Sequence, residues 1–92
     1  MKDTRELSDL VSIGPAMIED FKLLGITKVS QLKGKDAQKL FLKLCSLTGS
    51  KMDICVLDVF QCAIAQAENP RLPREKRLWY YWSKVRKSRS HK

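Results

Sequence analysis

The sequence predicts an all-α fold, a compact bundle of about five short helices followed by a basic aromatic C-terminal arm. Three observations carry this. No segment alternates apolar and polar residues with the period of two that marks a half-buried strand. Apolar residues recur instead at three- and four-residue spacing in successive stretches. Between those stretches fall Gly and Pro, with Pro suited to the first helical position and Gly to the residue past the last turn.

The elements follow in order. Asp3 and Glu6 have the spacing of a helix N-terminus, and Leu7, Leu10 and Val11 follow at helical spacing, so a first helix should run to about Val11. A tight turn ending in Gly14 leads to Pro15, which opens a helix carrying Met17, Ile18, Phe21 and Leu24 on one face and closing at Gly25. Thr27 should cap one or two turns reaching Leu32. After the break at Lys33-Gly34-Lys35, Asp36 is placed to cap a helix with Ala37, Leu40, Phe41 and Leu44 inward and Lys35, Lys39 and Lys43 outward. That helix should end at Leu47-Thr48-Gly49-Ser50. The next, about Met52 to Ala67, is apolar on almost every side, as a central buried helix must be. Asn69-Pro70-Arg71-Leu72-Pro73 stops it.

At 92 residues, with 43% hydrophobic and 30% charged side chains, the chain has the composition of one globular domain rather than of a disordered segment. No apolar run approaches the ~18 residues of a membrane span, and the N-terminus lacks the apolar core of a signal peptide. The expected location is cytoplasmic. Cys45, Cys55 and Cys62, odd in number and set among apolar neighbours, read as free buried thiols. No cofactor is expected, and a zinc site is not expected because the sole histidine, His91, stands next to the last residue.

The net charge of +8 is confined to one end. Residues 1–70 balance nine basic side chains with nine acidic ones, whereas residues 71–92 set nine basic side chains against Glu75 alone. Three regions follow: a neutral domain over 1–70, a basic aromatic arm over 71–86, and a polar basic tail over 87–92 expected to be disordered. In the arm, Leu78, Tyr81, Trp82 and Val85 share a face suited to docking on the domain, while Trp79 and Tyr80 point elsewhere and could stack on bases or a partner.

The turn from Ser12 to Ala16 aims backbone N–H groups outward at the positive end of a helix, an arrangement that holds anions without a charged side chain. This is how helix-hairpin-helix modules grip a nucleic-acid phosphate. Leu44-Cys45-Ser46-Leu47-Thr48-Gly49 partly echoes Leu10-Val11-Ser12-Ile13-Gly14, so tandem hairpins would place two such turns side by side. The candidate contacts are Ser12, Ile13, Gly14 and Ala16 in the first turn and Thr48, Gly49, Ser50 and Lys51 in the second. From the arm come Arg74, Arg77, Lys84, Arg86 and Lys87. Catalysis is not expected: there is no Gly-rich nucleotide loop, and Asp53 and Asp58 lie on different faces of one helix.

Leu10 through Ile26 resembles the helix-hairpin-helix signature. Three segments together resemble the small bacterial pathogenicity locus (Cdd-type) family: Ile13-Gly14-Pro15 with Leu24-Gly25-Ile26, then Leu44-Cys45-x-Leu47-Thr48-Gly49, then Asp53-x-Cys55-Val56-Leu57-Asp58-Val59-Phe60. The segment Leu78-Trp79-Tyr80-Tyr81-Trp82 completes the likeness, which implies a DNA-binding-like fold without assigning an activity. Ser12 and Val11 stand where the signature carries a glycine and a proline, and Ala16 and Met17 stand where a basic residue is common. These departures shift the expected phosphate contact toward Gly49-Ser50-Lys51 and the arm. The expected partner is DNA bound without sequence preference or, on the alternative reading, another protein.

Overall fold

A computed structural model describes residues 5–49 and 53–90. Among them are four α-helices and three 3-10 turns, with no strand. The helices are α1 (Pro15–Leu23), α2 (Ala37–Thr48), α3 (Cys55–Glu68) and α4 (Trp79–Ser90). The 3-10 turns are Leu7–Asp9, Val29–Leu32 and Arg74–Arg77. The all-α class therefore stands, with four α-helices in place of about five.

The helix ends show why. Gly14, extended at φ −96°, precedes α1, and Pro15 occupies its first turn. Gly25 leaves it at φ +79°. Asp36 caps α2, its Oδ1 accepting from the backbone N–H of Gln38 at 2.9 Å and of Lys39 at 3.2 Å. At the other end of α2 the left-handed Gly49, φ +67°, closes the helix. A Cβ added there would meet nothing within 4 Å, so Gly49→Ala is penalised by its backbone alone. We expect a loss of about 1 kcal/mol in denaturant unfolding.

Several expectations are corrected. The first helix is only the 3-10 turn Leu7–Asp9, because the backbone is already extended at Leu10; the Asp3 cap lies outside the described residues. Thr27 does not cap the Val29–Leu32 turn. Gln31 reaches back instead, its Oε1 accepting from the N–H of Thr27 at 2.7 Å and of Lys28 at 3.0 Å. In the two supposedly equivalent turns the left-handed residues are Ser12, φ +71°, and Gly49, whereas the sequence echo pairs Gly14 with Gly49. The first turn also follows a 3-10 turn rather than a helix. Finally, α4 runs on to Ser90, past the helix end expected at residue 86.

The core joins Leu7, Leu10 and Ile13 of the lead-in to Phe21, Leu24, Leu40 and Leu44, all gathered around Val59, Phe60, Ala63, Ile64 and Ala67 of α3. Phe21 and Phe60, both fully buried, stack at 5.0 Å. The central position of α3 is as expected, although Ile54 just before it is exposed. A second buried stripe of α3, spaced by four, is polar: Asp58, Cys62 and Gln66. It faces α4 and the turns at both ends of the chain, and it positions the candidate site.

Candidate nucleic-acid interface

Each member of the α3 stripe holds a different segment. Gln66 donates from Nε2 to the Val11 carbonyl and accepts at Oε1 from the Val11 N–H, both at 2.9 Å. Arg5 adds bonds to the carbonyls of Gln66 and Ala67, at 2.9 and 3.1 Å, a favourable place for a cation at the end of a helix. The Cys62 thiol donates to the Arg77 carbonyl at 3.0 Å. Asp58, 1% exposed, receives Arg86 in a two-pronged pair, Nε to Oδ1 at 2.8 Å and Nη2 to Oδ2 at 3.1 Å.

Burial pushes the Cys62 thiol up to about 11, against smaller opposing effects of hydrogen bonds with Gln66 and Ser12. Its native-state pKa thus exceeds the unfolded value near 9. The native thiol keeps its proton where the unfolded chain has released it, so stability is full below pH 9 and falls as pH rises toward 11. Alkaline denaturation curves should show this slope, and Cys62→Ala should lack it.

The first turn is built onto this frame. Val11 is fixed by Gln66, Ile13 is buried, and Ser12 between them takes the left-handed conformation. Glycine adopts that conformation without strain; here the serine hydroxyl makes contacts a glycine could not. It donates to the Arg77 carbonyl at 3.0 Å and accepts from the Trp79 N–H at 3.2 Å. Ser12 therefore joins the first turn to the start of α4, linking residues that looked independent in the sequence. Beyond it Gly14, Pro15 and Ala16 are exposed, and among the described residues no side chain caps the N-terminus of α1. Trp79 and Tyr80 are 37% and 49% exposed and meet edge to face, as expected of the arm's outward face.

The second turn is described only in part. Thr48 donates its hydroxyl to the Leu44 carbonyl at 2.9 Å, and Gly49 is exposed. Ser50 and Lys51 lie outside the described residues. Asp53 accepts at Oδ1 from the Cys55 N–H at 3.0 Å, and that hydrogen bond holds its carboxyl below the usual value. Asp53 thus stands two residues before α3 rather than within it, so only Asp58 of the two carboxylates expected on one helix belongs to it.

The arm cations divide into two sets. Arg74, Lys84 and Lys87 are exposed. Arg77 instead donates from Nε to the Leu72 carbonyl at 2.7 Å, and Arg86 pairs with Asp58. Both were expected to face phosphate, yet Arg77 braces the start of the arm on itself and Arg86 fastens the arm to α3. Burying Asp58 required a guanidinium partner, since an unpaired carboxylate in that position is strongly unfavourable. Leu78, Tyr81, Trp82 and Val85 are half-buried on the docked side, and Trp82 donates from Nε1 to the Lys76 carbonyl at 2.8 Å. Of the three free thiols, Cys62 is buried while Cys45 and Cys55 are half-buried. Among the described residues no helix is long and apolar enough to cross a membrane.

Comparison with known proteins agrees with the resemblance read from the sequence. The chain is similar to a mitomycin resistance protein McrB from Streptomyces lavendulae, 33% identical over 85 residues, which is 92% of this chain and 77% of the relative. No solved structure matches the chain significantly. The family model described as pathogenicity locus (Cdd1) matches residues 1–88, and the chain belongs to that family.

Proposed function

We propose that the protein is a non-enzymatic helix-hairpin-helix module that binds DNA without sequence preference. The observation that carries this reading is the exposed, uncapped start of α1, which the Ser12 hydroxyl ties to the arm bearing Trp79, Tyr80 and Arg74. In this reading the Ala16 N–H and its neighbours receive a phosphate oxygen. Thr48 to Lys51 supply a second contact, and Arg74, Lys84 and Lys87 add long-range attraction. The exposed aromatic pair gives bases or sugars a stacking surface.

Affinity for a short duplex should fall with salt by about 0.9 log unit per phosphate contacted for each log unit of salt. Gly14→Asp is the sharper test. The extended backbone of Gly14 suits any N-cap residue, and a Cβ there meets nothing within 4 Å. The new carboxylate should cap α1 and raise stability by a few tenths of a kcal/mol. The same carboxylate stands where the phosphate would, so duplex affinity should fall at least about tenfold. A duplex that binds the variant as well as the parent removes the first turn from the interface.

The alternative is a protein-interaction adaptor. It is favoured by the balanced charge of residues 1–70 and by the exposed Val11, Trp79 and Tyr80 around the first turn. Absence of duplex binding at low salt overturns the DNA reading and leaves this one. The name of the relative suggests a cellular assay for either reading, in which a mitomycin-sensitive host expressing this chain should gain resistance. In the DNA reading Gly14→Asp abolishes that gain.

A further inference from the structure

A cavity of about 350 Å³ opens between α2, α3 and α4, away from the first turn. Its volume is at the lower end of the range for small-molecule sites, which combine apolar walls with a few convergent polar groups. Leu57, Trp82 and Val85 form the apolar walls. The Trp82 indole is held in place by its bond to the Lys76 carbonyl. The polar lining consists of Gln38, Gln61 and the Asp58–Arg86 pair.

Those polar groups define what can enter. Asp58 and Arg86 neutralise one another, so the cavity offers no net positive charge to an anion. Two guanidinium bonds are spent on Asp58 and Nη1 keeps its N–H groups, which makes Arg86 a donor to a neutral acceptor. The side-chain amides of Gln38 and Gln61 make no hydrogen bond among the described residues and line the same space. Each offers a donor and an acceptor side by side, the pattern that pairs with the edge of a heterocyclic base. An indole beside aliphatic walls suits the face of such a ring.

We propose that this cavity binds an uncharged nucleobase, with the ring against Trp82, Leu57 and Val85 and its edge hydrogen-bonded by Gln61, Gln38 and Arg86. The base belongs either to a free nucleoside or to an unpaired position in a DNA strand. The proposal does not rest on phosphate contact at the first turn.

The test is NMR titration of the labelled full chain with the four deoxynucleosides, with deoxyribose as control, and with a short single-stranded DNA. Binding should shift the side-chain amides of Gln38 and Gln61 and the indole N–H of Trp82. Shifts with nucleosides assign the free source; shifts at these groups with the strand alone assign the strand. Gln61→Leu keeps the shape and should weaken binding about tenfold, while Val85→Phe fills the space and should abolish it. Gly14→Asp should leave nucleoside binding unchanged even where it weakens duplex binding, which separates this site from the first turn. The proposal is overturned if neither nucleosides nor the strand shift these groups. It is equally overturned if Gln61→Leu, shown to be folded by its spectrum, binds like the parent.

Discussion

Phe60→Ala should remove about 3–5 kcal/mol of stability. Phe60 is fully buried at the middle of α3 and stacks on the equally buried Phe21 at 5.0 Å. Truncation loses the transfer energy of the ring and opens a space that Phe21 and the surrounding core must partly span. A domain of this size is held by roughly 5–14 kcal/mol in total, so the variant should sit near the edge of folding. Thermal unfolding should show it as a fall of about 12 °C or more. Phe60→Leu, which keeps most of the volume, should fall much less. Equal losses in the two variants would show that the ring stack on Phe21, rather than the filled volume, is what holds the core there.

Arg86→Met ranks second. It leaves Asp58 as an unpaired carboxylate with 1% exposure, and an uncompensated charge at that depth is worth about 3 kcal/mol or more against folding. The double variant Asp58→Leu with Arg86→Met should regain most of the loss, because an apolar replacement for a buried ion pair is often neutral or stabilising. Denaturant unfolding of the parent, both single variants and the double variant closes the cycle. If the double variant is no more stable than Arg86→Met, the pair is not the source of the effect. A wholly exposed pair would behave otherwise, with every member of the cycle within about 1 kcal/mol of the parent.

Much of the fold was legible because local chemistry decided it. Pro15 and Gly25 bracket α1, Asp36 starts α2, and Gly49 ends it. The apolar surround of residues 54–67 placed α3 at the centre. Leu78, Tyr81, Trp82 and Val85 are half-buried, although the buried side chain of α4 among the described residues is Ser83. The misses arose where a distant partner overruled a local signal. Leu7, Leu10 and Val11 have helical spacing, yet Gln66 takes both backbone groups of Val11 and the chain there is not helical. Ser12 read as a degraded glycine, whereas its hydroxyl bridges residues 65 and 67 positions further on. Arg77 and Arg86 counted as surface charge until the structure showed what each one ties down.

The clearest miss is the polar stripe of α3. Asp58, Cys62 and Gln66 recur at intervals of four, and that periodicity was present in the sequence. In a helix read as apolar on almost every side, Cys62 counted only as a buried thiol, Asp58 only as a carboxylate on another face, and Gln66 carried no signal of its own. What makes them one feature is that their partners, Arg86, Arg77 and Val11, come from both sides of α3 in the chain. The candidate contact residues split the same way. Gly14 and Ala16 were identifiable from helix-end chemistry, but the bond that ties their turn to Trp79, through Ser12, depends on a fold-wide contact.

That stripe also governs the order in which the protein can be made. Asp58 must wait for an arginine 28 positions later, and Ser12 for a tryptophan 67 positions later. A nascent chain on the ribosome therefore completes α1, α2 and α3 before the groups that satisfy Asp58 and Cys62 have been synthesised. At that stage one side of α3 can rest on the apolar core while the other still needs water. In this respect α4 acts as a clasp on α3, closed by the Asp58–Arg86 pair. A chain halted between Asp58 and Arg86 should be cleaved by protease faster than the parent, because Asp58 then lacks the partner its burial needs.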